Sequence, residues 1–330
     1  MGGTSSENII SIRSGKNVAA WLAPHFEVYG IIITATDWKC LTAAQLKEHN
    51  ETLLIKGTIG ENVDRNDFSC GSITFDVLYN MVHGTPGEDG KLPAYFEMLD
   101  IPLVGSNHYA SAVTFNKRDS LTIATAAGIP TAPRVALNKG EDYELDQIVH
   151  TVGLPCFVKA NRAGSSYGVS KVKQHSEFAA AFESAFTQDD ELIIEGYLEG
   201  MEVSMGVLSL NGKITTLPGT EIVSENEFFD YEAKYNGLSQ EITPARIMDR
   251  EMERLGTLSR KLYKLFGLGG IARADFIYSD GQPYFLEMNS TPGMSQASII
   301  PQQLQAAGMD VSETLAALVR EKFQFLFSDS

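Results

Sequence analysis

Cysteine is scarce in this sequence: three residues in 330, Cys40, Cys70 and Cys156. Odd in number, widely spaced and outside any C-x-x-C pattern, they suggest neither a disulfide framework nor a zinc site, and a reducing, cytoplasmic setting is expected. No apolar run approaches the ~20 residues that a membrane helix needs, and the amino terminus lacks the basic-then-apolar plan of a signal peptide. No membrane association is expected. The opening "MGGTSS" matches a myristoylation pattern, but without a basic patch it reads better as a glycine loop. Positive charge is also in deficit, with 26 Lys and Arg against 42 Asp and Glu and a net charge of -16. Such a balance repels polyphosphate, no basic cluster reverses it locally, and nucleic acid is excluded as a partner. Two nucleotide signatures are missing as well. No G-x-x-x-x-G-K-[ST] loop occurs and no G-x-G-x-x-G follows a strand; "GLGG" at 267–270 follows a helix and reads as its cap.

What is present is the composition of a folded protein, 43% hydrophobic and 21% charged, long enough for two or three α/β domains. In the first third, "VYGIII" and "TFDVLYNMVHG" read as strands and "AAWLAPHF" and "KLPAYFEMLD" as helices, the rhythm of a parallel α/β sheet. A helix is predicted from about Tyr109 to Ala127, ended by Gly128 and Pro130. "LPCFVKA", "VSKVK" and "ELIIEGYL" read as strands around a helix in "SEFAAAFESAFTQ". From Met248 to Phe266, the residues Met248, Met252, Leu255, Leu262, Leu265 and Phe266 recur at helical spacing and predict a core-facing stripe. A hairpin and a last amphipathic helix to about Phe325 follow. Domain borders are expected near residues 104–106 and 195, giving units 1–105, 106–194 and 195–330.

The hairpin "ARADFIYSDGQPYFLEMNSTPGMS" (272–295) carries an unusual polar set. Alternation places Arg273 with Asp275 on one face of the first strand and Glu287 with Asn289 on one face of the second. The two sets share a side only if the turn permits. A two-residue Asp280-Gly281 turn would pair Asp275 with Leu286 and separate them; a three-residue loop, Ser279 to Gly281, pairs Arg273 with Glu287 and unites them. The three-residue loop is predicted. Two carboxylates and an amide oxygen gathered in this way suit Mg²⁺ bound together with phosphates. A solvated sheet face with an Arg273–Glu287 ion pair is the alternative. "VKANRAGSSYGVSKV" (158–172) sets Lys159 just before a loop of small residues, Gly164, Ser165, Ser166 and Gly168, where backbone N–H groups could close on phosphate. Alone, such a loop is more often a tight hairpin than a nucleotide lid, and Lys117 alone reads as a solvated helix lysine.

Taken in order, "GGTSSENIIS" (2–11), "HGTPGEDG" (83–90), "NK" (116–117), "VKANRAGSSYGVSKV", "IIEGYLEGMEVS" (193–204), "FDYEAKY" (229–235) and "RADF…LEMNSTPGMS" resemble the D-alanine:D-alanine ligases of the ATP-grasp superfamily over essentially the entire chain. The resemblance implies an α/β, α+β architecture: an N-terminal α/β domain, then two α+β domains holding ATP between their sheets. It implies Lys117 and Lys159 on the phosphates, Ser165, Ser166 and Lys234 beside the nucleotide, Glu195, Gly196, Tyr197 and Leu198 along the adenine, and Glu202 on the ribose. Gly196 stands where relatives often have a larger residue. Asp275, Glu287 and Asn289 would hold two Mg²⁺ ions, for which Mn²⁺ can stand in. Glu7 would receive the first D-alanine's ammonium, Arg273 and the Gly293 N–H would form an oxyanion site, and Ser298 would bind the second D-alanine's carboxylate. Ser165 and Tyr235 resemble partners of Glu7 that close "FDYEAKY" as a lid. His83 aligns with a site residue, with a buried histidine satisfied by backbone as the alternative.

The implied reaction joins two D-alanines through D-alanyl phosphate, for cell-wall peptidoglycan, in an enzyme that is usually a homodimer. The alternatives are a D-alanine:D-lactate or other ATP-grasp amino-acid ligase, and a nucleotide-binding regulator without catalysis. "YEAKY" favours an amine nucleophile. Relatives also begin with a short apolar strand before the glycine loop, whereas Met1 here is followed at once by Gly2-Gly3. The resemblance therefore implies either a start upstream of Met1 or a first domain short of a strand, which would leave Glu7 poorly held.

Overall fold

The computed structural model describes residues 1–164, 168–224 and 239–328. In the first part, β1 (Tyr29–Ile33), β2 (Trp38–Thr42) and β3 (Glu61–Asn62) form an antiparallel sheet, while β4 (Leu78–Tyr79) pairs β5 (Leu103–Val104) in parallel. Parallel pairing is thus narrower than the sequence rhythm suggests; most of "TFDVLYNMVHG" lies outside any strand. Helix α1 (Asn8–Leu22) follows the glycine loop, α2 (Ala43–Glu48) and α3 (Glu51–Leu54) follow β2, and α4 (Lys91–Met98) precedes β5. Met1 to Gly3 are fixed beside β1: the Met1 carbonyl accepts the Ile33 N–H at 2.9 Å and the Gly3 N–H donates to the Ile33 carbonyl at 2.8 Å. The Met1 ammonium donates to the Ile31 carbonyl at 2.9 Å. Burial pulls its pKa down to about 5.

The predicted helix 109–127 is two helices, α5 (His108–Phe115) and α6 (Lys117–Ala126). Asn116 breaks it: its backbone is extended, and its side chain caps α6 by accepting the Asp119 N–H at 3.1 Å. Next comes a four-stranded sheet in the order β6 (Arg134–Asn138), β9 (Glu191–Gly196), β7 (Cys156–Ala160), β8 (Ser170–Val172). It packs on α7 (Leu145–Val152) and α8 (Phe178–Phe186), around Val158, Val172, Phe178 and Ile194.

The last sheet runs β13 (Ser239–Ile242), β12 (Thr220–Ser224), β10 (Met201–Leu210), β14 (Ile271–Ser279), β15 (Gln282–Asn289), with β11 (Lys213–Thr216) also on β10. Helix α9 (Asp249–Phe266) buries Leu255, Leu262, Tyr263 and Phe266 against Ala272, Ala274, Phe276 and Phe285. Two residues of the predicted stripe lie elsewhere. Met248 is the exposed N-cap and Leu265 points outward, while Tyr263, whose hydroxyl donates to the Gly270 carbonyl at 2.8 Å, takes the inward place. Gly267 caps the helix in the left-handed region, as read from the sequence. Helices α10 (Ile299–Ala306) and α11 (Val311–Ser328) close the chain.

In the β14–β15 hairpin the predicted three-residue loop is replaced by a two-residue turn, with Ser279 paired to Gln282 and both Asp280 and Gly281 at positive φ. In a regular ladder that turn would separate the carboxylates. A β-bulge restores them: Phe276 pairs with Phe285 but Asp275 with Glu287, leaving Leu286 as the extra residue. Beyond the bulge Arg273 pairs with Asn289. All four polar residues therefore share one face by a route that the turn alone does not reveal.

Candidate active site

Three loops meet at Glu7. The residue ends the glycine-rich turn as the N-cap of α1 and is largely buried. Its carboxylate is enclosed by two glycines: a Cβ added to Gly164 would lie 2.5 Å from Oε2, and one added to Gly84 3.3 Å from it. Small residues here are a requirement of space. The Ser5 hydroxyl donates to the His83 carbonyl at 2.9 Å, tying the first loop to "HGTPGEDG". His83 is itself buried, its Nε2 3.2 Å from the Ser14 hydroxyl oxygen, which also accepts the Met294 N–H at 3.2 Å. Burial lowers its pKa to about 4, so the ring is neutral at neutral pH.

Across the cavity, Asp275 is central in a row over three strands, with Ser204 of β10 opposite it on one side and Glu287 of β15 on the other. Ser204 Oγ donates to Asp275 Oδ1 at 2.6 Å, Arg273 grips both carboxylate oxygens at 2.8 and 2.7 Å, and Asn289 Nδ2 donates to Oδ2 at 3.0 Å. The ion pair is thus Arg273–Asp275, within one strand, rather than Arg273–Glu287 across two. Burial opposes the guanidinium charge, but the Asp275 carboxylate outweighs it and holds the pKa above its usual value. Glu287 stands 3.3 Å from Lys117 Nζ, which donates to the Ala163 carbonyl at 2.7 Å.

On the neighbouring sheet, Lys159 donates to Glu195 Oε2 at 2.5 Å. Burial works against the ammonium, yet the Glu195 charge keeps its pKa raised. Tyr197 continues this wall, with Lys171 Nζ 4.1 Å above its ring. At the far side Ser298, the N-cap of α10, accepts the Ser295 N–H at 2.9 Å, and a Cβ on Gly293 would lie 3.1 Å from its hydroxyl. One cavity of about 670 Å³ is lined by Glu7, His83, Lys117, Lys159, the 195–198 run, Glu202, Arg273, Asp275, Glu287, Asn289, Gly293 and Ser298. Glu7 and Ser298, 291 positions apart in sequence, meet in one chamber of acidic and cationic groups, the size of a small-molecule site.

Two family descriptions divide the chain between them: D-ala D-ala ligase N-terminus matches residues 1–106 and D-ala D-ala ligase C-terminus residues 123–320. The chain belongs to the D-alanine–D-alanine ligase family. A D-alanine–D-alanine ligase of Flavobacterium johnsoniae is 46% identical over 318 residues, 95% of this chain and 94% of that protein. Another, of Christiangramia forsetii, is 44% identical over 324 residues, 97% of this chain and 95% of its own length. Among solved structures, the D-alanine–D-alanine ligase of Coxiella burnetii superposes with a TM-score of 0.87 at 26% identity, covering 98% of this chain and 92% of the other. A D-Ala:D-Ser ligase of Enterococcus faecalis gives 0.84 at 29% identity, with 98% and 97% covered. The fold is accordingly the ATP-grasp fold of these ligases.

The chamber suits the groups this family uses. Glu195 Oε1 is buried without a hydrogen-bond partner among the described residues, an acceptor waiting for a donor such as an exocyclic amino group. Asp275, Glu287 and Asn289 converge as hard oxygen-bearing groups held by Arg273 and Lys117. Among the described residues no set of three or more His, Cys, Asp or Glu could hold a metal ion by itself. Ser165, Ser166, Lys234 and Tyr235 lie outside the described residues.

Sequence reasoning passed over Ser204 and Glu88. Ser204 had a signal, since alternation from Glu202 puts both on one face of a strand. Glu88 had none beyond its place in "GEDG". It lines the chamber, accepts the Gly84 N–H at 2.6 Å, and is raised to a pKa of about 8, first by burial and then by the Glu7 charge.

Proposed function

We propose that this chain joins two D-alanines into D-alanyl-D-alanine with ATP, releasing ADP and phosphate, to supply peptidoglycan synthesis in the cytoplasm. The observation that carries the reading is the shared face of Arg273, Asp275, Glu287 and Asn289, set opposite Glu7 across one chamber with Lys117 and Lys159 beside it. Glu7 receives the ammonium of the first D-alanine, leaving its carboxylate toward the cationic side. That carboxylate takes the γ-phosphoryl group; the bond to ADP breaks and D-alanyl phosphate forms. The free amine of the second D-alanine, whose carboxylate rests on Ser298, attacks the acyl carbon. The C–N bond forms, phosphate leaves, and the amine proton is lost. Arg273 and the Gly293 N–H hold the oxyanion that develops.

Lys117 and Lys159 orient the phosphates, Glu195 to Leu198 and Glu202 seat the nucleoside, and Asp275, Glu287 and Asn289 hold two Mg²⁺ ions, with Mn²⁺ as a substitute. Those ions supply charge neutralisation on the phosphates when bound. On resemblance, Ser165, Ser166 and Lys234 lie beside the nucleotide, and Ser165 and Tyr235 join Glu7 in closing a lid that keeps water from the acyl phosphate. The working unit is a homodimer, to be checked by sedimentation.

Phosphate release is measured with ATP, Mg²⁺ and D-alanine, L-alanine or a D-alanine/D-lactate pair, and the products are identified by mass. D-alanine is expected to support release and yield the dipeptide with or without D-lactate, with no D-alanine–D-lactate ester and no release with L-alanine, while Glu287→Gln lowers turnover at least ~100-fold, the scale of losing one preorganised electrostatic group. Release without dipeptide, or full turnover in Glu287→Gln, contradicts the reading.

A further inference from the structure

Gln303, on α10, is excluded from solvent yet carries an amide, and both ends of that amide are used. Its Oε1 accepts the Gly206 N–H at 2.9 Å; its Nε2 donates to the Ser204 carbonyl at 2.8 Å and to Thr220 Oγ1 at 2.9 Å. Every partner lies more than 80 residues away in sequence, on β10 or β12. A leucine or methionine would fill the same volume without needing partners, so packing alone does not call for an amide here. A saturated buried amide instead fixes one register between the elements it joins, because any slip leaves a donor or acceptor unsatisfied.

The partners are placed for function. Gly206 pairs with Arg273, and a Cβ on it would lie 2.4 Å from Gln303 Oε1, so β10 carries a glycine where the amide enters. Ser204 gives its carbonyl to Gln303 and its hydroxyl to Asp275. At the other end of the connection, α10 begins at Ser298, five residues before Gln303.

We propose that Gln303 is a positioning residue of the ligation: it locks α10 to β10, and so sets the separation between the Ser298 hydroxyl and the Asp275–Arg273 group. That separation is the one between the seat of the second amino acid and the phosphorylated carboxyl it attacks. Gln303 touches neither substrate. The inference rests on the function proposed above.

The test is steady-state kinetics on the full chain, with the Michaelis constants for ATP and for the two D-alanines resolved. In Gln303→Leu the constant for the second D-alanine is expected to rise about tenfold, as misplacement by a fraction of an ångström would produce, while that for ATP stays within about twofold. Gly206→Ala should reproduce the defect. In a Ser298→Ala background Gln303→Leu should add less than about twofold, because both act through one hydroxyl. A wild-type constant in Gln303→Leu, an equal rise for ATP, or an undiminished effect in the Ser298→Ala background overturns the inference. If Gln303→Leu does not fold, Thr220→Val, which removes one of the three bonds, should raise the same constant about two- to fivefold, and no change there overturns it equally. Wild-type protein that makes no dipeptide would remove the proposed function itself. Dipeptide synthesis with Gln303→Leu and Gly206→Ala both normal would remove only the role given to Gln303.

Discussion

Glu88 departs far from the habits of its residue type. Its ordinary value is 4.5 and its folded value about 8, because burial and the neighbouring Glu7 both oppose its charge. Between those two values the unfolded chain has released the proton that the folded chain keeps. Stability contributed by the neutral carboxyl is therefore complete below about pH 4.5, declines as pH rises, and is lost by about pH 8. Glu88→Gln is neutral throughout, so its melting temperature relative to wild type should climb from pH 5 to pH 8; a constant difference across that range contradicts the assignment. His83 acts in the opposite sense, its lowered value removing stability as pH falls from 6.5 towards 4. At Gly164 the constraint is steric. A methyl group there would press on Glu7 Oε2, so Gly164→Ala should raise the Michaelis constant of the first D-alanine by about tenfold or more, with little change for ATP. An unchanged constant would mean that the Glu7 carboxylate moves freely.

Among the elements, the β14–β15 hairpin shows what a sequence discloses and what it withholds. Alternation made the polar faces of both strands plain, because side-chain direction follows from strand geometry alone. The predicted loop and the observed turn reach the same facing because two features cancel: the shorter loop flips it, and the bulge at Leu286 flips it back. Nothing in "FLEMN" marks the bulge. The same holds for α5 and α6, where Asn116 is ordinary inside a helical run until Asn161, 45 residues on, donates to its side chain at 2.9 Å. Tyr263, two positions before Leu265 and on another face of the helix, takes the inward place because the Gly270 carbonyl lies within reach of its hydroxyl, which apolar periodicity does not disclose. With Asp280 and Gly281 both at positive φ, Gly281→Val should destabilise the chain by about 1–2 kcal/mol, read by thermal or denaturant unfolding. No loss would argue that the turn relaxes to another type.

Over the whole molecule, the order of seven short motifs disclosed the family, while their meeting point was a matter of tertiary structure. Glu7 and Ser298 lie at opposite ends of the chain, and only the packing of three sheets puts them around one chamber. Charge follows the same pattern, since a net of -16 says nothing of Lys117, Lys159 and Arg273 gathered where phosphate would lie. Glu195 Oε1, without a hydrogen-bond partner among the described residues, sits at one wall of that gathering. A carboxylate there greets an adenine amino group as a donor, whereas guanine turns a carbonyl lone pair towards it. ATP should therefore support dipeptide formation at least ~10-fold better than GTP, the span set by leaving one buried acceptor unmatched, and Glu195→Gln, able to rotate an NH₂ into place, should narrow that preference. The enzyme would thus sort purines by a single orphaned lone pair.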